Sequence, residues 1–433
     1  MLQTARHRSF LLLVLIFAML AASAQQSTFV KRIGHQFRVA GKPYYYIGAN
    51  YWYGGLLALQ RDPERGKQRL IKELDFLKSK GISNLRVLAG SEGFGKISAV
   101  DRAEPALQKD HQIFDLEVLK GLDFLLMELA KRKMYAVLYL SNNWEWSGGF
   151  MQYLNWNGQL ADTTMRRKLS WDEQRDYTSK FYSCTGCLLD YRKQLDFILR
   201  HKNAYTGKKY RDEPAIMAWE LANEPRPMRE TAIAGYKEWI SGTASYIKSI
   251  DPNHLITIGT EGVIGTESQP ELYKEIHADK HVDYLTIHIW PKNWMWFTGS
   301  PTKENLPSVM GKTSDYIKQH EGIALELNKP LVIEEFGLPR DGHVFDPAAG
   351  TTVRDAYFER VFSIWATSRS ASGVIAGCNF WGFGGSSRPI KGQLFWKSGD
   401  DFSGDPPQEE QGLNSVFDSD ASTWEVLRRV LKR

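Results

Sequence analysis

AIMAWELANEP, residues 215–225, is an apolar run that turns polar at its end. Its first half follows Asp212-Glu213-Pro214, carries β-branched and aromatic members, and reads as a strand buried on both faces. Asn223 and Glu224 come at its close, and Pro225, which has no N–H to offer a ladder, stops it. An amide and a carboxylate are thereby delivered to the C-terminal end of a strand. In parallel α/β proteins that end is the functional face.

The same pattern recurs outward from this stretch. Strands read at 44–50 (YYYIGAN), 84–89 (NLRVLA) and 135–140 (YAVLYL) upstream of it. Downstream they read at 255–259 (LITIG), 284–289 (YLTIHI), 330–335 (PLVIEE) and 373–381 (GVIAGCNFW). Helical stretches fall between them at 65–80, 114–132, 171–201, 231–250, 309–327 and 353–368, with a last one near 422–431. Eight alternations with no Pro/Ser linker and no internal repeat predict an α/β fold, a (β/α)8 TIM barrel. It is expected to be a single domain, with the length beyond the roughly 250 residues of a typical barrel placed in long βα-loops. The chief of these is 141–170, whose Trp content argues for an ordered, functional loop.

Composition narrows the classes. The chain has 433 residues, 42% hydrophobic and 24% charged, ample for a large core. A net charge of +5, with Lys and Arg scattered among acids, gives no basic stripe for nucleic acid. Fourteen Trp exceed what an apolar core uses, which places some of them along a surface or cleft. Arg6, His7 and Arg8 precede the apolar run 10–20, followed by Ala22-Ser23-Ala24. That order predicts a signal peptide over residues 1–24, cleavage near Ala24/Gln25, and a catalytic domain over 25–433. The run is too short to span a bilayer, so the mature chain is expected to be secreted or periplasmic with no membrane span. Cys184, Cys187 and Cys378 cannot build a disulfide framework. A local disulfide or two inert thiols is the simpler reading of Cys184 and Cys187, since no second pair or His pair with zinc spacing accompanies them.

Ring closure would gather Asn50, Arg86, Asn143, Asn223, Glu224, His288, Glu335 and Trp381 on one face. Two carboxylates over an aromatic floor suit cleavage of a glycosidic bond. One must be protonated to donate to the leaving oxygen, and the other ionised to attack the anomeric carbon. Neighbouring carboxyls divide these roles because their surroundings push their pKa values apart. Arg86 is expected to hold Glu335 ionised, and burial to keep Glu224 protonated until it donates. No metal or cofactor is required by either step. Strand alternation points Glu334 and Glu335 to opposite faces. Glu220 reads as the buried partner of a barrel Arg, and Glu261 stands at a strand end without a role.

These residues lie in segments that resemble clan A, family 5 glycoside hydrolases. WELANEP (219–225) is similar to the acid/base motif and EEFG (334–337) to the nucleophile motif. The likeness extends toward the β-1,4-mannanase subfamily through YIGANYWYGG (46–55), LRVLAG (85–90), SNNWEWSGG (141–149), IHIWPKNW (287–294), NFWGFGG (379–385) and QGLNSVFDSD (411–420). The resemblance implies a retaining endo-β-1,4-mannanase that cuts internal bonds of mannan, galactomannan or glucomannan by double displacement. Glu224 matches the general acid/base, Glu335 the nucleophile, and Asn223 a contact to the 2-hydroxyl of the −1 sugar. Arg86 and His288 match residues bracketing nucleophile and substrate, and Trp381 the platform under the −1 sugar. Trp52, Asn143, Trp144 and Trp290 complete the expected substrate-binding set. One departure is plain: the family often has Tyr where this chain has Trp290, and an indole N–H donates but cannot accept.

Among Trp144, Trp146, Trp156, Trp294 and Trp296, about half are expected to be sugar platforms. A monomer is expected. The alternatives are a β-1,4-glucanase of the same family and a mannobiose-releasing exo-type mannanase, its cleft closed at one end by the 141–170 loop. A non-catalytic carbohydrate-binding barrel would lack one of the two glutamates, and both are present.

Overall fold

Eight parallel strands appear in chain order: β1 (Tyr46–Asn50), β2 (Asn84–Leu88), β3 (Tyr135–Tyr139), β4 (Ile216–Glu220), β5 (Leu255–Thr257), β6 (Leu285–Ile289), β7 (Leu331–Phe336) and β8 (Ile375–Phe380). This computed structural model describes residues 28–433, so the expected signal peptide lies outside the described residues. The sheet order is β5-β4-β3-β2-β1-β8-β7-β6, which sets the first strand beside the last. Its two ends, β5 and β6, meet through single hydrogen bonds. Asp283 N–H donates to Ile256 O at 2.7 Å and His288 N–H to Glu261 O at 3.0 Å. The ring is therefore closed, and the (β/α)8 expectation holds strand for strand.

Each strand is followed by a helix: α1 (Pro63–Ser79), α2 (Leu116–Arg132), α3 (Thr185–Leu199), α4 (Ile233–Ile250), α5 (Pro270–Ala278), α6 (Leu306–Leu327), α7 (Thr352–Ser370) and α8 (Ala421–Leu431). α1 shows why these residues choose that form. The Asp62 side chain caps it by accepting from Arg65 N–H at 3.0 Å, and Pro63 opens it with a preset φ. Leu70, Leu74 and Leu77, spaced along one face, are buried against the barrel. Gly81 follows at φ +85°, where a side chain would be strained.

Two regions differ from the sequence reading. A three-stranded antiparallel sheet (Lys31–Ile33, Gln36–Val39, Lys42–Pro43) precedes β1. It packs Phe37 against Tyr46 and Tyr284, closing the bottom of the barrel. The 141–170 segment is not one long loop, since it folds into short helices over Gly149–Trp156 and Asp162–Met165. Phe150, Met151, Tyr153 and Leu154 are buried there, so apolar burial rather than helix length holds the segment.

Cys184 and Cys187 form a disulfide at the start of α3, and Cys378 is free and buried. Among the described residues, no helix is long and apolar enough to cross a membrane.

Candidate active site

The polar end of β4 is pinned on both flanks. Asn223 N–H donates to Ser141 O and its carbonyl accepts from Asn143 N–H, both at 2.9 Å. Glu224 N–H then donates to Gly259 O at 2.9 Å. Glu224 has φ +51°, a left-handed conformation that is uncommon for a residue with a Cβ. Such strain persists only where the surroundings over-determine it, and it gathers at functional sites.

Arg86, on β2, is the hub beneath. Its fully buried guanidinium meets Glu220 with two bonds, Nε at 2.8 Å and Nη2 at 2.6 Å. Nη2 also donates to Asn223 Oδ1 at 2.7 Å, while Nη1 donates to Asn50 Oδ1 at 3.1 Å and to Glu335 Oε1. Burial lifts the Glu220 carboxyl to about 8, with Arg86 opposing the rise and Glu334 adding to it. A buried charge stripped of its partner costs about 3–5 kcal/mol, so this cluster holds only as a whole.

Glu334 corrects the alternation argument. Ile287 on β6 faces Ile333 on β7, but the next residue, His288, faces Glu335. Glu334 is the extra residue of a bulge, and the bulge lets consecutive glutamates reach the same two cations. Glu334 Oε2 lies 3.7 Å from Arg86 Nε and 3.4 Å from His288 Nε2.

His288 joins the pair. Its Nδ1 stands 2.7 Å from Glu224 Oε1 and 3.3 Å from Glu335 Oε2. Burial alone would depress the imidazole, but Glu335, Glu224 and Glu334 outweigh it and hold its pKa well above the ordinary value. One oxygen of Glu224 and one of Glu335 lie within 4.8 Å of each other and of a ring nitrogen of His288. Among the described residues, that set also has the spacing of metal-ligand atoms. Each carboxylate also receives an indole N–H, Trp144 Nε1 on Glu224 Oε2 at 2.5 Å and Trp290 Nε1 on Glu335 Oε2 at 3.1 Å. Trp290 and Arg86 thus donate to the two oxygens of Glu335, and the inability of an indole to accept is no handicap beside a carboxylate. Both glutamates face a cavity of about 600 Å³.

A family model described as "GH family 5 beta-mannosidase-like" matches residues 27–432. The chain belongs to that family. It is a glycoside hydrolase of family 5, and the fold and the paired glutamates agree with that membership. It is 31% identical to a putative mannan endo-1,4-beta-mannosidase 9 from Oryza sativa subsp. japonica, over 85% of this chain and 84% of that one. It is 30% identical to mannan endo-1,4-beta-mannosidase 1 from Arabidopsis thaliana, over 83% and 82% respectively. Among solved structures, it is similar to a family 5 mannosidase from Rhizomucor miehei in complex with mannosyl-fructose. There the TM-score is 0.84 at 29% identity, covering 94% of this chain and 98% of that one.

Within this family 5 site, the cavity is lined by Asn223, Glu224, Trp290, Glu335 and Trp381, with Trp144, Trp146 and Trp294 beside them. Trp381 meets Trp290 edge to face, ring centres 5.9 Å apart. Arg86 and His288 lie beneath, fully buried, and act through the glutamates. The Asn223 amide oxygen accepts from Arg86 Nη2, and its amide nitrogen donates to Asn142 Oδ1 at 3.0 Å.

Two expected substrate contacts are not brought to the cavity. Trp52 is buried among Trp146 and Phe402, and its Nε1 donates to Gly404 O at 3.1 Å, so it props a loop. The Asn143 side chain is fully buried with no partner among the described residues, and this residue serves through its backbone N–H. Trp156 and Trp296 are also absent from the cavity wall.

Residues the sequence reading missed fill the far side. Arg226, directly after Pro225, pairs with Glu261 at 2.5 and 2.7 Å and lies over the rings of Trp144 and Trp171. The pair gives Glu261 its role, steadying the indole that holds Glu224. Pro406, Gln408 and Glu409 approach from the loop after β8. Arg226 follows the acid/base motif and was legible from that position; the loop residues carry no comparable signal.

Proposed function

We propose that this family 5 enzyme hydrolyses β-1,4-mannosidic bonds in mannan-type polysaccharides or their oligosaccharides, with retention of configuration. The observation that carries the reading is the spacing of Glu224 and Glu335, whose oxygens come within 4.8 Å. Retaining enzymes hold their carboxyls about 5–5.5 Å apart, whereas inverting ones leave room for a water at roughly 6.5–9.5 Å. The choice of mannan rests on the relatives named mannan endo-1,4-beta-mannosidase and on the mannosyl-fructose complex of a structural neighbour.

In the first step a Glu335 oxygen attacks the anomeric carbon while Glu224 gives its proton to the glycosidic oxygen, and the bond between those two atoms breaks. Arg86 and Trp290 aim Glu335 by donating to its two oxygens. In the second step Glu224 takes a proton from water, the water oxygen attacks the anomeric carbon, and Glu335 leaves. Trp144 and His288 hold Glu224 in place through both steps. The Arg6-His7-Arg8 and 10–20 pattern supports export, and the Cys184–Cys187 disulfide fits an oxidising compartment.

The curated relatives' names favour attack on internal bonds. A second mode, release of short products from a chain end, is favoured by one observation. The loop carrying Pro406, Gln408 and Glu409 enters the cavity beside Trp381. The 141–170 segment, named for that role in the sequence reading, lines the same cavity with Trp144, Glu145 and Trp146.

Purified enzyme on galactomannan, carboxymethylcellulose and mannohexaose tests these readings together. Reducing ends are expected from the galactomannan and few from the cellulose derivative, and proton NMR is expected to show the β-anomer first. Preference for the cellulose derivative removes the mannan assignment, and α-anomer first removes retention. Mixed early products of mannohexaose mean internal attack, and a single short product means chain-end release.

A further inference from the structure

Phe94 is 71% exposed, at the tip of a turn that its neighbours hold still. Glycines flank it at φ +70° (Gly93) and +75° (Gly95), left-handed values that fold the backbone back on itself. The buried Arg102 guanidinium ties the turn down. Its Nη1 donates to Glu92 O at 3.1 Å, Nη2 to Phe94 O at 2.5 Å and Nε to Gly95 O at 3.3 Å. Nη1 also reaches Gln152 Oε1 at 2.5 Å on the facing wall. An apolar ring left in water adds nothing to the fold, so a turn fixed around one marks a contact surface.

Phe94 borders a second cavity, of about 850 Å³, within the size of ordinary small-ligand sites. It opens between the loop after β2 and the 149–166 segment. Ser98 N–H donates to Met165 O at 2.9 Å and Ala99 N–H to Arg166 O at 3.1 Å, joining the two walls. No lining residue is shared with the catalytic cavity, although the 141–170 segment serves both. Lys96, Arg102, Lys109 and Arg166 line this space with Asp110 and Asp162, four cations against two acids. Asp162 accepts from Asn155 Nδ2 at 2.7 Å, and Lys109 reaches Asp115 at 3.7 Å. Lys96 and Arg166 are exposed and make no ion pair among the described residues. Burial, with Arg166 adding to it, pushes the Arg102 guanidinium down to about 10 against the pull of Glu92 and Glu104. A bound anion relieves that crowding.

We propose that this second cavity binds an acidic polysaccharide, a chain of carboxylate-bearing sugars, and anchors the enzyme beside its substrate. Each part of the wall meets one part of such a sugar. Lys96 and Arg166 take the carboxylate, in charge-assisted bonds. Asp110 and Asp162 accept from hydroxyls, and the apolar C–H face of the ring covers Phe94. Because Arg102 has already fixed the turn, little ordering is required when the chain arrives. A neutral mannan would leave the surplus cations unmet. A nucleic-acid strand would set phosphates against Asp110 and Asp162, and one exposed ring offers no run of stacking platforms. The cavity is built from the loops after β2 and β3, on the barrel face that carries Glu224 and Glu335. A chain held there brings neighbouring mannan to the cleft.

The inference goes beyond the retaining mannanase reading, and its test separates the two. Titration calorimetry measures trigalacturonate binding to wild type, Arg166→Glu and Phe94→Ala, with mannotriose turnover and melting curves on the same preparations. Wild type is expected to bind, and less tightly as salt rises. Arg166→Glu should raise Kd about tenfold or more, since a charge-assisted contact becomes a repulsion. Phe94→Ala should raise it roughly threefold to tenfold through lost ring contact. Mannotriose turnover and melting temperature should hold in both variants, because neither side chain lines the catalytic cavity or is buried. A wild type that ignores trigalacturonate, or variants that bind it as tightly as wild type, overturns the proposal. Single-stranded DNA bound as tightly, with the same loss in Arg166→Glu, also overturns it by showing attraction to any polyanion. Trigalacturonate bound as expected by a wild type inactive on mannosides would support the anchoring site and count against the functional reading alone.

Discussion

Glu335→Ala is expected to lower kcat on mannotriose by about 10⁵-fold or more, the scale seen when a covalent nucleophile is removed. The reasoning is geometric. Arg86 and Trp290 both donate to Glu335, and no other carboxyl at the cavity receives that pair. Glu334 touches the same cations, but it lies fully buried below the cavity and is not among its lining residues. Small anions should fit where the carboxylate was. With an activated aryl mannoside, added azide is expected to restore turnover and give the α-mannosyl azide by a single inverting displacement. Residual activity within tenfold of wild type would place the nucleophile elsewhere.

Glu224→Ala should behave differently, which is why the two are worth measuring side by side. Loss of a general acid costs about 10²–10⁴-fold on natural substrates, whose leaving oxygen needs a proton. On aryl mannosides with good leaving groups the first step survives, and the glycosyl-enzyme accumulates. Azide then attacks that intermediate, so the expected product is the β-mannosyl azide, after two inversions. Opposite anomers from the two variants assign the roles without any reliance on absolute rates. The same anomer from both would show that the pair does not divide the work as described.

Much of this arrangement is legible in the sequence. Eight apolar runs bounded by polar strand ends read as a barrel because both faces of every strand are buried and no other pattern competes. Ring closure then makes distant residues such as Arg86, Glu224 and Glu335 neighbours. What escaped has physical causes. The bulge at Glu334 is a property of pairing between β6 and β7, and one strand's alternation cannot reveal it. Trp52 looked like a cavity residue because it follows β1 directly. Its indole instead turns inward, against Phe402 from a loop some 350 positions on. The helices at 149–156 and 162–165 are too short for a helical period to show. Glu409 lies in a loop held by Asp405 and Gln411 side chains, and loops ordered in that way carry no periodicity. The strands announce themselves through burial, and the loop that faces them does not.

The most direct measurement traps the intermediate on the protein. A 2-deoxy-2-fluoro-β-mannosyl fluoride should carry the enzyme through the first step and no further: the anomeric carbon bonds to the carboxylate as fluoride leaves, and the 2-fluorine slows both steps, so the glycosyl-enzyme accumulates. Peptide mass mapping is then predicted to find one fluoromannosyl unit on Glu335 and none on Glu334 or Glu224. A label on another residue, or an unlabelled enzyme that turns over with the α-anomer appearing first, would contradict the account.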